Sequence, residues 1–292
     1  MIKKGIIVHA LSGFYYVEAD GETYECRAKG AFRKAGLSPL VGDTVDIEIQ
    51  GEKGTVTKIY DRRNCLSRPP VANIDRLFIV SSVLSPVPNI FVIDKMTVLA
   101  EKNGIEPVIV FSKCDLSEPN ELVATYEKCG FNTIKCAAKT GEGIDEIEEL
   151  INGCSCAFTG NSGVGKSSIL NAIDPTLSLE TNDISEKLGR GRHTTRSVSL
   201  YHCAGGFIAD TPGFSSLEQE SNTLYVEKEL LADYFPEFEE YLTQCRFYPS
   251  CSHIKDKGCA VCEAVKNGVI PATRHESYVR MYDELKSINP YK

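Results

Sequence analysis

The sequence predicts three consecutive units: an all-β unit over residues 1–68, an α/β unit over residues 69–220 and a mainly helical unit over residues 221–292. Short stretches of alternating apolar and polar residues fill the first 60 positions, which is typical of half-buried strands. A glycine-rich loop of the form G-x-x-x-x-G-K-[ST] lies between an apolar run and a helix-like segment in the middle of the chain. Four cysteines and a histidine crowd into residues 245–262. Each unit therefore has its own fold class.

The composition is that of an ordinary folded protein, with 292 residues, 42% apolar and 25% charged, and a formal net charge of −8. This charge argues against a protein that coats nucleic acid with its whole surface, although residues 1–68 carry more basic than acidic side chains. No apolar stretch approaches the roughly 20 residues of a membrane span. Because no export signal accompanies the twelve cysteines, we expect reduced thiols and a cytoplasmic location. We also expect a monomer without a membrane contact.

The N-terminal unit has five strand-like stretches separated by turn signals such as Asp20-Gly21 and Gly51-Glu52, and these stretches are 6–10, 14–18, 23–27, 44–50 and 54–60. Five short strands in this length favour an OB-type barrel, a fold that presents one face to oligonucleotides. A hinge is predicted at Pro69-Pro70, where the next unit begins.

Basic residues surround one aromatic side chain of this barrel: the set is Arg27, Lys29, Phe32, Arg33 and Lys34, followed after the last strand by Arg62, Arg63 and Arg68. Cations with an interleaved aromatic are suited to single-stranded or looped RNA. A solvated loop that keeps the barrel soluble explains the same residues, so both interpretations stay open.

The central loop is a P-loop without a mismatch, and it consists of Gly160, Asn161, Ser162, Gly163, Val164, Gly165, Lys166 and Ser167, with Ser168 opening the helix. Glycines let backbone N–H groups approach a polyphosphate closely. Lys166 would reach the β- and γ-phosphates, and the Ser167 hydroxyl would bind Mg²⁺. Strands alternate with helices on the N-terminal side of this loop, which predicts a parallel, doubly wound sheet.

Two further loops resemble the guanine-binding elements of GTPases. The residues Ser112, Lys113, Cys114 and Asp115 follow a predicted strand and resemble N-K-x-D. In that interpretation Asp115 accepts both donors of the guanine edge, whereas adenine lacks them. Ser112 replaces the usual asparagine and is too short to brace the P-loop in the same way, so we expect weaker affinity with unchanged base choice. The residues Ala137, Ala138 and Lys139 resemble the S-A-K element, with alanine in place of serine.

Two loops after the P-loop complete the set. The run 189–196 contains His193, Thr194 and Thr195, whose threonines would complete the Mg²⁺ shell together with Ser167. Asp210 and Gly213 then match D-x-x-G at a strand end, with Asp210 on Mg²⁺ through water and the Gly213 amide on the γ-phosphate.

The order of these motifs differs from that of ordinary GTPases, because the two guanine elements precede the P-loop. A parallel sheet allows this order if the chain is cut after D-x-x-G, which makes the unit a circularly permuted GTPase domain. With its barrel and cysteine-rich tail, the chain resembles the RsgA (YjeQ/YloQ) family over nearly its whole length. The resemblance implies a GTPase that binds the small ribosomal subunit and its rRNA, assists late maturation, and leaves after hydrolysis to GDP and phosphate.

The position after Gly213 holds Phe214, where Ras-like enzymes have a glutamine that orients water. We therefore expect slow intrinsic hydrolysis, with the missing group supplied by His193 or by a partner. Two alternatives stay open: an RNA-binding nucleotide switch with negligible turnover, and an enzyme specific for adenine nucleotides.

The C-terminal cluster offers three thiolates and one imidazole, from Cys245, Cys251, His253 and Cys259. This set fits a closed, structural zinc site of the Cys₃His type, and the zinc residues of the family carry over onto the same four positions. Cys262 is a spare thiol that either substitutes for a ligand or packs. Because D-x-x-G directly precedes this unit, we expect nucleotide state to change the angle between the barrel and the zinc domain.

Overall fold

The computed structural model describes residues 1–34, 36–51, 53–67, 70–177, 198–210 and 226–287. These ranges contain thirteen strands and eight α-helices, and eleven of the strands form one continuous sheet. Helices that are both long and apolar enough to cross a membrane are absent from these ranges.

The N-terminal strands close into a barrel. Its elements are β1 (Ile2–Leu11), β2 (Phe14–Ala19), β3 (Glu22–Ala28), α1 (Gly30–Lys34), β4 (Thr44–Gln50) and β5 (Lys53–Ile59). Strand β1 pairs with both β2 and β4, and the parallel pair of β3 and β5 completes the circuit. Alternate residues such as Val17, Val45, Ile47 and Val56 point inward and are fully buried. The predicted five-stranded barrel is thus confirmed, with β1, β2 and β3 longer than predicted, β4 as predicted and β5 one residue earlier.

A short hairpin stands where the sequence suggested a hinge. It consists of β6 (Cys65–Ser67) and β7 (Pro70–Ala72). Val71 and Ala72 are completely buried, and the Ala72 amide donates a hydrogen bond to Val41 of the barrel over 2.9 Å. Val71 and Ala72 are therefore packed against the barrel, because their apolar side chains have a core to enter, whereas Pro70 is exposed.

The central unit is a parallel sheet with helices between its strands. In chain order it contains β8 (Arg76–Ser82), α2 (Ile90–Lys102), β9 (Glu106–Ser112), α3 (Asn120–Lys128), β10 (Asn132–Cys136), α4 (Ile144–Ile151), β11 (Ser155–Thr159), α5 (Lys166–Ile173), β12 (Ser199–Cys203) and β13 (Gly206–Asp210). The spatial order is β10-β9-β8-β11-β13, and all four of these pairs are parallel. The predicted α/β alternation is confirmed.

Strand β12 was not predicted, and it joins the two sheets. It is antiparallel to β13 on one side and meets β1 at His9 and Ser199 on the other. The imidazole Nδ1 of His9 lies 2.6 Å from the Ser199 hydroxyl, and His202 Nε2 lies 2.8 Å from a Glu18 carboxylate oxygen. The barrel therefore continues the central sheet through one strand.

The C-terminal unit is helical, as predicted, but the described residues of the two stretches with helical spacing in the sequence, 224–242 and 261–287, form shorter helices. Two 3₁₀ turns over 231–234 and 236–238 precede α6 (Glu239–Gln244), and α7 (Ala260–Lys266) and α8 (Ala272–Ser287) follow. Pro236 stands at the start of the second turn, where it lacks the amide that a continuous helix would need. In the sequence, Tyr278, Met281, Tyr282 and Leu285 have the spacing of one apolar helix face. On α8 the first two are buried and the last two are partly buried, so this prediction is confirmed.

A buried ion-pair network fastens this unit to helix α2. Arg274 of α8 donates to Asp94 of α2 over 2.6 Å and to Glu237 over 2.6 Å, and both the Arg274 and Asp94 side chains have no exposed surface. Tyr126 also donates to Asp94, over 2.9 Å. Burial alone lowers the pKa of Arg274, but the charges of Glu237 and Asp94 outweigh it, so this pKa lies above its ordinary value. The guanidinium is therefore a permanent cation that ties α2 to α8.

Candidate guanine-nucleotide site and metal centre

Three predicted motif positions reach one edge of the central sheet. Strand β8 lies between β9 and β11, and β11 is parallel to β13, so the carboxyl ends of all four strands meet there. The P-loop follows β11, the guanine motif begins at the end of β9, and Asp210 ends β13. Ligands of open α/β sheets bind at this edge. The motifs thus lie at the same edge of the sheet although their order along the chain is permuted.

Backbone geometry explains the glycines of the P-loop. Gly160, Gly163 and Gly165 all have positive φ angles, of 137°, 77° and 102°. A Cβ atom on Gly160 would lie 2.1 Å from the carbonyl oxygen of Val80, so only glycine allows the loop to pass this close to β8. Val164 is buried beneath the loop, and Ser167 is nearly buried in the first turn of α5. Lys166 Nζ donates to the carbonyls of Gly160 and Asn161, the latter over 2.9 Å.

The guanine motif touches the P-loop directly. The Ser112 hydroxyl donates to the carbonyl of Val164, and Lys113 Nζ lies 2.7 Å from the carbonyl oxygen of Gly163. Ser112 is almost fully buried. Its short side chain still reaches the P-loop, contrary to the expectation that serine is too short, because the P-loop passes over β8 and Gly165 lies beside Ser112.

Backbone hydrogen bonds align the loop that contains Ala137, Ala138 and Lys139 with the guanine motif. The Cys114 amide donates to the carbonyl of Cys136 over 3.1 Å, which places the end of β10 beside the guanine motif. Ala137 is fully buried, and Ala138 and Lys139 follow in a tight turn whose Thr140 and Gly141 amides both bond to the Ala137 carbonyl. Asp115 is exposed. Discrimination against adenine requires that the Asp115 carboxylate is removed from water, and the bound base itself would do this.

The described ranges do not include every predicted residue. His193, Thr194, Thr195 and Gly213 lie outside them, as do Arg68 and Phe214, and the side chains of Asp210, Arg33 and Lys34 are not described either. Of the expected Mg²⁺ ligands, Ser167 stands at the start of α5, and the backbone of Asp210 stands at the end of β13. These two positions follow the neighbouring strands β11 and β13, which agrees with a hard, oxygen-coordinated cation beside a phosphate.

The metal centre brings together all four predicted ligands. One donor atom from each of Cys245, Cys251, His253 and Cys259 lies within 4.8 Å of the other three. His253 Nδ1 is 3.3 Å from the Cys259 sulfur. Three thiolates and an imidazole at this spacing fit a tetrahedral zinc ion, whose bonds to sulfur and nitrogen are about 2.0–2.3 Å long. Cys262 is only partly buried and lies outside the group of donors.

The pKa shifts at this centre differ among the ligands: those of Cys245 and His253 favour the metal-binding form, whereas burial raises the pKa of Cys251. Burial raises the pKa of Cys245, but hydrogen bonds from the Phe247 amide and from Cys251 and Cys259 outweigh it, so the pKa lies below its ordinary value. Burial lowers the pKa of His253, which favours the neutral imidazole that binds metals.

Helix α8 supports the loop that carries the ligands. His275 Nε2 lies 2.7 Å from the carbonyl oxygen of His253, and the Tyr278 hydroxyl donates to the carbonyl of Ser252 over 2.9 Å. The metal loop is therefore fixed to the same helix that holds Arg274. Arg274 and Asp94 belong to no recognisable motif, so the sequence alone does not point to them.

Some of the basic residues near the barrel have structural partners. Arg62 forms a bidentate ion pair with the fully buried Asp43, at 2.6 and 2.8 Å, and Arg63 pairs with Asp75. Arg27 lies over the Phe14 ring, 4.6 Å from its centroid, and both Arg27 and Lys29 are exposed. Arg27 and Lys29 line a cavity of about 400 Å³ beside Phe32. The structure thus separates fold-stabilising arginines from cations that are available to a ligand.

The chain is similar to proteins of one family along its whole length. A family model described as RsgA GTPase matches residues 59–220, and one described as RsgA N-terminal domain matches residues 4–56. A "Small ribosomal subunit biogenesis GTPase RsgA" from Geobacillus sp. (strain WCH70) is 42% identical over 294 residues, covering 98% of this chain and 99% of that protein. One of the same name from Caldanaerobacter subterraneus is 44% identical over 288 residues, covering 97% of this chain and 96% of that protein.

Solved structures show the same likeness. The crystal structure of YjeQ from Thermotoga maritima matches with a TM-score of 0.84 and 37% identity, covering 99% of this chain and all of that one (100%). The structure titled "YloQ, a circularly permuted GTPase" matches with a TM-score of 0.82 and 35% identity, covering 100% of this chain and 98% of that one.

Proposed function

Because this chain belongs to the RsgA family of GTP hydrolases, we propose that it binds the small ribosomal subunit, assists its late maturation, and is released when it hydrolyses GTP to GDP and phosphate. The observation that carries the guanine-nucleotide part is the direct contact of the 112–115 loop with the P-loop. The ribosomal part is supported by the names of the relatives. Such a protein would act in the cytoplasm, where subunits are assembled.

The nucleotide would be held between the two loops that touch each other. Gly163 and its neighbours would wrap the phosphates with backbone amides, while Asp115 would accept the N1–H and amine of guanine. Lys166 would neutralise phosphate charge, and Ser167, Thr195 and Asp210 would hold Mg²⁺, which supplies electrostatic stabilisation of the transferring phosphoryl group. Ala137, Ala138 and Lys139 would border the guanine oxygen.

Hydrolysis would depend on the segment that contains His193, Thr194 and Thr195. Phe214 has no group that can orient water, so a histidine or a partner must do so. We expect His193→Ala to reduce turnover in the presence of small subunits. Unchanged stimulated turnover in this variant would eliminate a direct role for His193.

Two surfaces offer the chemistry that rRNA requires. The first is the barrel surface with Arg27, Lys29 and Phe14. The second is the loop between the metal ligands, where Phe247 is 42% and Tyr248 48% exposed beside the exposed Arg246. Exposed aromatics next to cations stack on unpaired bases. In this proposal residues 1–68 and 221–292 contact RNA on either side of the nucleotide-binding unit 69–220.

Zinc would serve as a structural ion in the C-terminal unit. Cys245, Cys251, His253 and Cys259 would hold it, and the closed ligand set leaves no position for substrate. Its role would be to keep the loop with Phe247 and Tyr248 in one conformation, because so small a helical unit has little core of its own.

The decisive experiment measures phosphate release from GTP while purified small subunits are titrated into the assay. We expect turnover to rise with subunit concentration until it saturates, and ATP to give no such rise. A flat response would support the second candidate, a nucleotide switch with negligible turnover, which Phe214 favours. Affinity of the protein for the subunit should also be higher with a non-hydrolysable GTP analogue than with GDP.

A further inference from the structure

A serine at the end of β8 organises the loop that leads into α2. The Ser82 hydroxyl accepts hydrogen bonds from the amides of Ser85 and Leu84, at 3.1 and 3.4 Å, and donates to the Ser85 carbonyl over 3.0 Å. Its side chain has no exposed surface. The hydroxyl thus uses its one proton and both its lone pairs within this loop, and these bonds fix the position of the Ser85 carbonyl.

The Ser85 carbonyl has a second donor, the ammonium of Lys113. The same ammonium donates to the carbonyl of Gly163 in the P-loop over 2.7 Å. A lysine side chain has a flexible four-carbon stem, so its ammonium group takes one position only when that group is also held by hydrogen bonds. The loop carbonyl and the P-loop carbonyl together hold the charged end of Lys113 between them.

We infer that Ser82 is a positioning residue of the guanine-nucleotide site: it fixes the Ser85 carbonyl, which holds Lys113 between the guanine motif and the P-loop. None of the recognisable GTPase motifs in this sequence includes Ser82 or Ser85. The inference rests on the proposed function, because it assigns Lys113 to the nucleotide site. Ser82 does not touch the nucleotide in this account; it acts through Lys113.

Loss of the Ser82 hydroxyl should affect nucleotide affinity and not the rate of hydrolysis. The hydrogen bonds of the Ser82 hydroxyl go to Leu84 and Ser85, on the Lys113 side of the site and not on the phosphate side. Removal of the Ser82 hydroxyl should therefore weaken GTP and GDP binding and raise KM, while kcat at saturating GTP is unchanged. The fold should tolerate this change, because Leu84 and Ser85 are exposed and water can replace the lost partner of their amides.

The test uses the full-length protein and GDP labelled with a fluorophore. We expect Ser82→Ala to weaken GDP binding about five- to tenfold, as the loss of a hydrogen-bonded anchor predicts. Ser81→Ala is the matched control, since Ser81 is the preceding residue of β8, is also buried, and has no side-chain hydrogen bond among the described residues. Its affinity should stay within twofold of the parent. If the alanine variant does not fold, Ser82→Cys keeps the side-chain size with a weaker donor and should lose affinity to a smaller degree.

A double-mutant cycle separates positioning from a general effect on the fold. Lys113→Met removes the ammonium but keeps the stem, and in that background Ser82→Ala should have no further effect on GDP affinity. Additive losses would overturn the inference, and so would an affinity of Ser82→Ala within twofold of Ser81→Ala. Asp115→Asn distinguishes the two proposals: if it leaves GDP binding unchanged, the guanine site itself fails, whereas if only Ser82→Ala is without effect, this inference alone fails.

Discussion

The ammonium of Lys113 lies 2.7 Å from the carbonyl oxygen of Gly163, although 50 residues separate them and the lysine comes first in the chain. In ordinary GTPases the P-loop precedes the guanine motif. Here the parallel pairing of β8 with both β9 and β11 brings the two loops together in either chain order. A circular permutation therefore preserves the site, because the sheet and not the order of the chain defines it.

The four clustered ligands should bind zinc, and the neighbouring cysteine should not be needed. Cys259→Ser is expected to weaken zinc binding more than tenfold and to lower Tm, because one thiolate of a closed site is lost. Cys262→Ser is the matched control and should keep about one zinc per chain. Metal analysis of the purified variants and thermal melts measure both. Equal zinc content in the two variants would contradict this ligand set.

The Arg274 network should dominate the attachment of the C-terminal helices to α2. Arg274→Met is expected to cost about 3–5 kcal/mol of unfolding free energy, because Asp94 and Glu237 remain buried without their cation. Arg280→Met on the same helix removes an exposed arginine over the Phe91 ring and should cost about 1 kcal/mol or less. Denaturant titrations compare the two. Similar costs would show that the buried network contributes little.

This network also bears on how nucleotide state is transmitted. From the sequence we expect the barrel and the zinc domain to change their relative angle. The structure ties the zinc-bearing helices to α2 through buried charges. The barrel is joined to the central sheet by the pairing of His9 with Ser199 and by the contact of His202 with Glu18. A change of angle would therefore have to alter one of these two sets of contacts.

A half-buried carboxyl group, that of Glu101, predicts how stability depends on pH. Burial raises the pKa of Glu101, the nearby Glu237 adds to this rise, and Arg274 partly opposes it. Because the folded-state pKa lies above the unfolded one, the folded protein loses stability as pH rises between the two values. Glu101→Gln should therefore increase Tm at pH 7, and the gain should vanish below about pH 4, where the glutamate is protonated in both states. Melts at several pH values measure this; an equal gain at every pH would contradict it.

The features that could be predicted from sequence are those encoded locally. The P-loop, the strand before Ser112 and the cysteine cluster each depend on residues within one short segment, and the structure brings each of them to its expected place. Strand β12 was missed because Ser199–Cys203 is short and lies beside a polar turn. The Arg274 and Asp94 pair could not be predicted, since 180 residues separate its members and neither has a distinctive neighbour. The reach of Ser112 depends on how closely two backbones approach, which only the three-dimensional structure reveals.

The central claim is that Asp115 and the P-loop bind one guanine nucleotide, and Asp115→Asn tests it most directly. An asparagine amide can donate to the second carbonyl of xanthine but not to the amine of guanine, so the variant should lose about 1–3 kcal/mol of GTP affinity and bind xanthosine triphosphate better than the parent does. Competition of GTP, xanthosine triphosphate and ATP for the same site measures this exchange. Unchanged preference for GTP in the variant would contradict the claim.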